Sequence, residues 1–383
     1  MTRVPVNPVL LRWARERAGI AQKDLVAKFK KLPEWEDGKT QPTLKQAEAF
    51  ASTVHAPIGY LFLSEPPEEA VPIPDFRTFA GHAVTRPSPN LLDTIYVCQE
   101  RQNWYRDFAR VVGNSDLGFV GSVSVSTAPE TVAARMRETL GFDLAARREC
   151  PTWADALRLF IGQADDAGVL VMVSGIVMSN TRRRLDPGEF RGFALSDPLA
   201  PLIFINGKDT KAAQMFTLAH ELAHIWLGVT ALSNLGAVPG TGFRSEEVWC
   251  NAVAAELLVP LDALRSDLRR NEPLPDALSR LARTYKVSTL AILRRLLDAG
   301  WVTRGRFDTA WAQENERLRK LAQSGSGGDF YRTTVARVGR RFTRALVVST
   351  LEGQTLYRDA FRMLGVKKTR TFNNLGREAG VMG

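Results

Sequence analysis

Histidine and cysteine are scarce in this chain: four of the former and three of the latter in 383 residues. The cysteines, Cys98, Cys150 and Cys250, are too few and too far apart for a disulfide framework, and no CxxC pair exists to hold structural zinc. Reduced, mostly buried thiols are expected. Long apolar runs are also missing. No stretch approaches the ~18 consecutive apolar residues of a membrane span, so no membrane partner is expected. The opening residues, Met1 to Asn7, lack the charged-then-apolar order of a secretory leader, and a cytoplasmic location is expected. No internal repeat is visible. With 45% hydrophobic and 24% charged residues, the composition is that of a globular protein, and the length suits two or three domains.

The net charge of +10 is unevenly spread. Residues 1–68 hold ten Lys/Arg against eight Asp/Glu, a net +2. Residues 330–383 hold eleven against three, a net +8. A basic balance fits nucleic acid or an acidic protein partner.

Residues 7–62 read as all-helical. A first stripe (Val9, Leu10, Trp13, Ala14) ends near Gly19, a second helix spans about Ala21 to Phe29, and a third starts at Pro42-Thr43. Four prolines between Ser64 and Asp75 forbid helix and mark a stiff linker. Helices are expected over 88–112, 129–140 and 153–167. Short strands are expected at Val169–Val173, Phe193–Leu195 and Leu202–Ile205. A helix from about Thr210 to Leu227 follows, then one from about Glu246 to before Pro260, then helices through 275–299. The expected fold is α+β and mainly α-helical. Its parts are a helical domain (1–64), a proline-rich linker (65–87), a domain with a small sheet (88–323), a Gly/Ser linker (324–329) and a basic helical segment (330–383).

The chemistry concentrates at His220-Glu221-Leu222-Ala223-His224, an HExxH motif inside an apolar helix. Residues i and i+4 share a helix face, so both imidazoles can reach one zinc ion. Glu221 is offset enough to miss the metal and to act as general base on a metal-bound water. With only four histidines in the chain, chance pairing at this spacing is rare. Two imidazoles and a carboxylate on an apolar helix are costly without a metal or a hydrogen-bond network.

A catalytic zinc needs a third protein ligand. No histidine follows His224, and position 230 is Thr, so the third ligand is a carboxylate. Spacing alone leaves Glu246, Glu247 and Glu256 open. The block His220 to His224, followed by Glu247-x-x-Cys250-Asn251 and Ala254-Ala255-Glu256-Leu257-Leu258-x-Pro260, resembles the ImmA/IrrE family of regulatory metallopeptidases over about residues 165–300. That resemblance implies a gluzincin-like zincin domain, Zn2+ as cofactor and Glu247 as third ligand. Asn251, one turn after Glu247, is then a candidate to orient that glutamate, and Cys250 a candidate neighbour of the metal. The strand at 202–205 is a candidate for pairing with an extended substrate.

The N-terminal helices resemble a Cro/repressor-type helix-turn-helix domain through Ala21-Gln22-Lys23-Asp24-Leu25, Trp35-Glu36-Asp37-Gly38-Lys39 and Gln41-Pro42-Thr43. The spacing from Leu25 to Glu36 is about a helical turn short of the usual domain, with Pro33 interrupting what is left. Lys28, Lys30 and Lys31 are the candidate DNA contacts.

The resemblance implies a zinc endopeptidase acting on a repressor-like or other regulatory protein. The competing reading is the antitoxin of a toxin–antitoxin pair that binds the acidic site of a nuclease toxin through residues 330–383. There Val335, Val338, Phe342, Ala345 and Leu346 are expected on one helix face, bordered by Arg337, Arg340, Arg341 and Arg344. Lys367, Lys368 and Arg370 add a second basic run. All seven are candidate partner contacts.

Overall fold

The computed structural model describes residues 2–75, 86–233, 245–321 and 330–381. The chain divides into two compact units: residues 1–72 with 85–96, and residues 73–84 with 97–383.

In the first unit, α1 (Pro8–Arg17) starts at Asn7, whose side chain accepts from the Val9 N–H, with Pro8 suited to the first turn. Two short helices follow, α2 (Gln22–Val26) and α3 (Leu32–Glu36). Helix α4 (Leu44–Thr53) opens on a capping box of Thr43 and Gln46, and a 3-10 turn at Ile58–Phe62 closes the unit. Leu11, Trp13, Leu25, Phe29, Trp35 and Phe50 share one core. Glu36 is buried beside it and accepts from Arg15 at 2.7 and 3.2 Å and from Gln22 at 2.8 Å, tying α1 and α2 to α3. Pro33 does not interrupt α3. It lies in the first turn, where its missing N–H costs nothing. The second helix is shorter than expected and stops at Val26. The proline-rich stretch is anchored where Glu69 meets Arg17 at 2.5 Å and Arg86 at 3.5 Å, with both guanidiniums against Trp13.

Helix α5 (Pro89–Val111) is shared between the units and belongs to the second from Val97. Next come α6 (Pro129–Leu140), α7 (Leu144–Arg148) and α8 (Trp153–Asp166). Strands β1 (Leu170–Ser174), β2 (Gly192–Leu195) and β3 (Leu202–Asn206) precede α9 (Lys211–Leu227), and β4 (Ala231–Ser233) follows it. The remaining helices are α10 (Ser245–Leu258), α11 (Leu261–Asp267), α12 (Leu274–Tyr285), α13 (Thr289–Asp298), α14 (Arg304–Leu321), α15 (Phe330–Val338), α16 (Arg340–Leu351), α17 (Tyr357–Leu364) and α18 (Thr369–Glu378). Among the described residues no helix is long and apolar enough to cross a membrane.

The sheet runs β1-β3-β2-β4. β1 pairs with β3 in parallel, while β2 is antiparallel to both β3 and β4. Every residue of β2, β3 and β4 is buried, so the sheet is covered on both faces. β3 lies between two strands, which leaves it no free edge for a substrate and corrects that expectation.

The basic C-terminal segment packs within the second unit. The apolar set expected on one helix is divided between α15 and α16 by Gly339, whose φ of +87° breaks the helix. Val335, Val338, Phe342, Ala345 and Leu346 are all buried, so this face is already covered by the chain itself. The Leu170 N–H donates to Pro201, towards β3, so alternation turns the Val171 carbonyl out to the sheet edge. Gly339 sits against that carbonyl, and a Cβ there would lie 2.9 Å from it. Arg341 donates its backbone N–H to the Asp165 carboxylate at 3.0 Å and its side chain to the Asp165 carbonyl and the Tyr105 hydroxyl. Burial pushes the Asp165 carboxyl up to about 7. Arg101, buried in α5, donates to the Met363 carbonyl at 2.8 and 3.1 Å. Gly339→Ala meets both a forbidden φ and the Val171 carbonyl. It should lower stability by about 2–3 kcal/mol in urea unfolding, and an unchanged midpoint would show that the segment is not seated on β1.

Candidate metal centre

Helix α9 is held at both ends. The Thr210 side chain accepts from the Ala213 N–H, and Gly228 closes the helix in the left-handed conformation. Residues 217–226 are buried all round, which explains why the helix is apolar on every face. α10 packs against α9, and the two together bring the donors to one point. His220 Nε2 and His224 Nε2 are 3.0 Å apart. Glu247 places Oε2 at 3.3 Å from His220 Nε2 and Oε1 at 3.1 Å from His224 Nε2. Among the described residues this is the cluster of three His, Cys, Asp or Glu side chains able to share an ion.

The spacing fits a metal. Ligands about 2.0–2.1 Å from a tetrahedral ion stand roughly 3.3 Å from one another. The tautomer fits as well. Asn251 meets His220 rather than the expected Glu247: His220 Nδ1 lies 3.1 Å from Asn251 Oδ1, so Nδ1 is the protonated nitrogen and Nε2 keeps its lone pair for an ion. Burial opposes ionisation of Glu247, but the two imidazoles beside it hold its carboxyl well below the usual carboxylate range. Burial lowers the pKa of His224, favouring the neutral form that ligates.

Glu221 lies beside this triad, fully buried. Burial, then the Glu247 charge, pushes its carboxyl well above the ordinary value. The Ser233 hydroxyl comes close enough to ease this, but neither group makes a well-aligned hydrogen bond. Room for the carboxylate comes from β2. A Cβ on Gly192 would stand 3.2 Å from Glu221 Oε1, 2.9 Å from the Phe204 carbonyl and 2.5 Å from the Thr217 methyl. Gly192 and Ser233 were not singled out in the sequence. A glycine opening an apolar strand is a signal of close approach. Ser233 carried no signal, because its role depends on strand pairing.

The other carboxylates of α10 lie elsewhere. Glu246 accepts from the Ser245 hydroxyl, and Glu256 is paired with Arg295. Cys250 belongs to the core, where burial raises its thiol pKa well above the ordinary value and keeps it protonated. Lys28 bonds the Thr53 hydroxyl at 2.8 Å and lies over Phe29, while Lys30 and Lys31 are exposed. Arg337 is half-buried and Arg341 is committed to Asp165 and Tyr105. Arg340, Arg344, Lys367, Lys368 and Arg370 are exposed.

Comparison with known proteins finds similarity over the same segment. Residues 164–297 match the peptidase family described as the IrrE N-terminal-like domain. The matches support an ImmA/IrrE-type metallopeptidase domain. The radiation response metalloprotease IrrE of Deinococcus deserti is 37% identical over 106 residues, covering 27% of this chain and 38% of that protein. Its counterpart from Deinococcus radiodurans is 36% identical over 106 residues, covering 27% of this chain and 32% of that protein. The chain thus spans about a third of the length of these curated relatives. Residues 338–378 match a domain of unknown function.

Replacing Glu247 by Ala should strip the metal, whereas Glu246→Ala should keep it. Asn251→Ala should weaken metal affinity by about 10- to 100-fold. Metal analysis and competition with a chelator read all three, and retention by Glu247→Ala would move the third ligand elsewhere.

Proposed function

We propose that this chain is a zinc-dependent endopeptidase that cleaves a regulatory protein, with His220, His224 and Glu247 as ligands and Glu221 as general base. The observation that carries this reading is the buried Glu221 carboxylate, poorly paired, beside three converging donors. A zinc ion held there would lower the pKa of a bound water towards about 7 and draw Glu221 into its ionised form. Glu221 then takes a proton during attack on a peptide carbonyl and passes it to the leaving amine. Its raised intrinsic basicity suits that exchange. His220 is kept in the ligating tautomer by Asn251, and Gly192 leaves the carboxylate its space. Glu221→Gln should retain zinc and lose peptide cleavage by about three orders of magnitude or more. Wild-type cleavage rates in that variant would remove Glu221 from the role.

The N-terminal unit is proposed as a helix-turn-helix-like module that brings the peptidase to its regulatory target. Its second and third helices have five residues each, and Glu36 is turned into the core rather than towards a groove. Binding of the full chain to DNA should therefore be weak and steeply salt-dependent. Changing Lys30 and Lys31 together to Ala should reduce the salt slope by about two. Tight, sequence-selective binding at physiological salt would show that the module reads bases.

A further inference from the structure

The loop between β1 and β2 carries three consecutive arginines, Arg182, Arg183 and Arg184. It doubles back on itself. The Val177 N–H donates to the Arg183 carbonyl at 2.9 Å, and Ile176 bridges Arg184 in antiparallel register. Its tip is tied to the end of α17. The Ser179 hydroxyl donates to the Gly365 carbonyl at 2.7 Å, and Arg101 reaches both the Met363 carbonyl and the Met178 sulfur. Gly365 has a φ of +68°, and a Cβ there would stand 2.6 Å from the Ser179 hydroxyl oxygen. Just beyond this contact come Lys367, Lys368 and Arg370. All of these residues belong to the second unit.

The fold thus joins two basic runs that are remote in sequence. Each of the six side chains lies within five positions of the Ser179–Gly365 contact, at most ~18 Å of chain. Neither 176–185 nor 363–371 contains Asp or Glu. Arg182, Lys367, Lys368 and Arg370 are exposed, and among the described residues none of these four has an acidic partner. Like charges held this close repel one another, and an external polyanion relieves that repulsion.

The surroundings indicate which polyanion. A protein interface needs an apolar or aromatic centre. The apolar stripe of α15 and α16 is buried within the chain, and the exposed Leu351, Leu356 and Tyr357 lie around the α16–α17 turn, outside both basic runs. Single-strand sites add aromatic side chains on which bases stack, whereas the Tyr357 ring packs on Phe361 and Phe372. What remains is a cluster of cations beside the start of α18, whose first turn has no side-chain cap and so leaves N–H groups open to an anion. Such groups contact phosphates and do not read bases.

We propose that the β1–β2 loop and the α17–α18 turn together form a surface that binds the phosphate backbone of duplex DNA without reading its sequence. Arg182, Lys367, Lys368 and Arg370 supply the phosphate contacts. The surface belongs to the second unit, so it holds DNA independently of Lys30 and Lys31 in the first.

The test measures binding of the full chain to a short mixed-sequence duplex across a salt series. Changing Arg182, Lys367, Lys368 and Arg370 together to Ala should reduce the salt slope by about three to four, since each lost phosphate contact removes about 0.9. A charge-preserving variant (Arg182→Lys, Lys367→Arg, Lys368→Arg, Arg370→Lys) should keep the wild-type slope. Adding Lys30→Ala and Lys31→Ala to the alanine set should lower the slope further, by as much as that pair does alone. An unchanged slope in the alanine variant, or no duplex bound by the wild type at low salt, would overturn the proposal. So would loss of binding in the charge-preserving variant. Tighter binding of the single strand, or equal competition by polyglutamate of matched charge, would also overturn it by assigning the surface to a different polyanion.

Discussion

Two imidazoles and two carboxylates meet in this protein where water does not reach. His220, Glu221 and His224 are fully buried and Glu247 is 4% exposed. Ionisable groups taken out of water at such close range cost several kcal/mol each unless something compensates them. A shared cation would satisfy all four at once: it would take three lone pairs directly and offset the charge of the fourth group. The surroundings read as the means of holding that arrangement. α9 is capped at both ends and buried on every face. α10 presents Glu247 and Asn251 one turn apart, and β2 gives up a side chain at Gly192.

Much of this could be read in the sequence because it depends on local rules. The i, i+4 spacing of His220 and His224 needs only helical geometry. Thr210 and Gly228 bound the helix by capping chemistry, and the short apolar runs around Val171, Phe193 and Ile203 do become strands. The parts that could not be read depend on which elements meet. The choice among Glu246, Glu247 and Glu256 is a question of helix phase against α9, and three carboxylates on one helix look alike until the partner is in place. Resemblance had to make that choice. Pro33 looked like an interruption because nothing local says that a five-residue helix starts at Leu32. The strand at Leu202–Asn206 looked like a candidate edge, but strand order is a long-range property.

The C-terminal segment shows the same limit in a different form. An apolar stripe bordered by arginines has the same sequence pattern whether its cover is another protein or the chain's own sheet. Here the cover is internal, and the break at Gly339 is what lets the chain turn against the Val171 carbonyl. The two ends of the sheet are thereby closed by segments remote in sequence, Gly339 at β1 and Pro74 at β4. Unpaired strand edges invite pairing with other chains, and both edges are covered here by the chain's own segments.

The closure at β1 also sets an order of events during synthesis. Arg341 bonds Asp165 across 176 positions, and Arg101 reaches Met363 across 262. Contacts of such long range form late, because the ends of the intervening loop must first exist. While the ribosome is still making the last helices, the sheet that supports Glu221 has an open flank and Arg101 lacks the carbonyl that it binds in the finished fold. A nascent chain can therefore contain the whole HExxH helix and Glu247 well before its sheet is complete, and a truncated product would expose a bare parallel strand at β1.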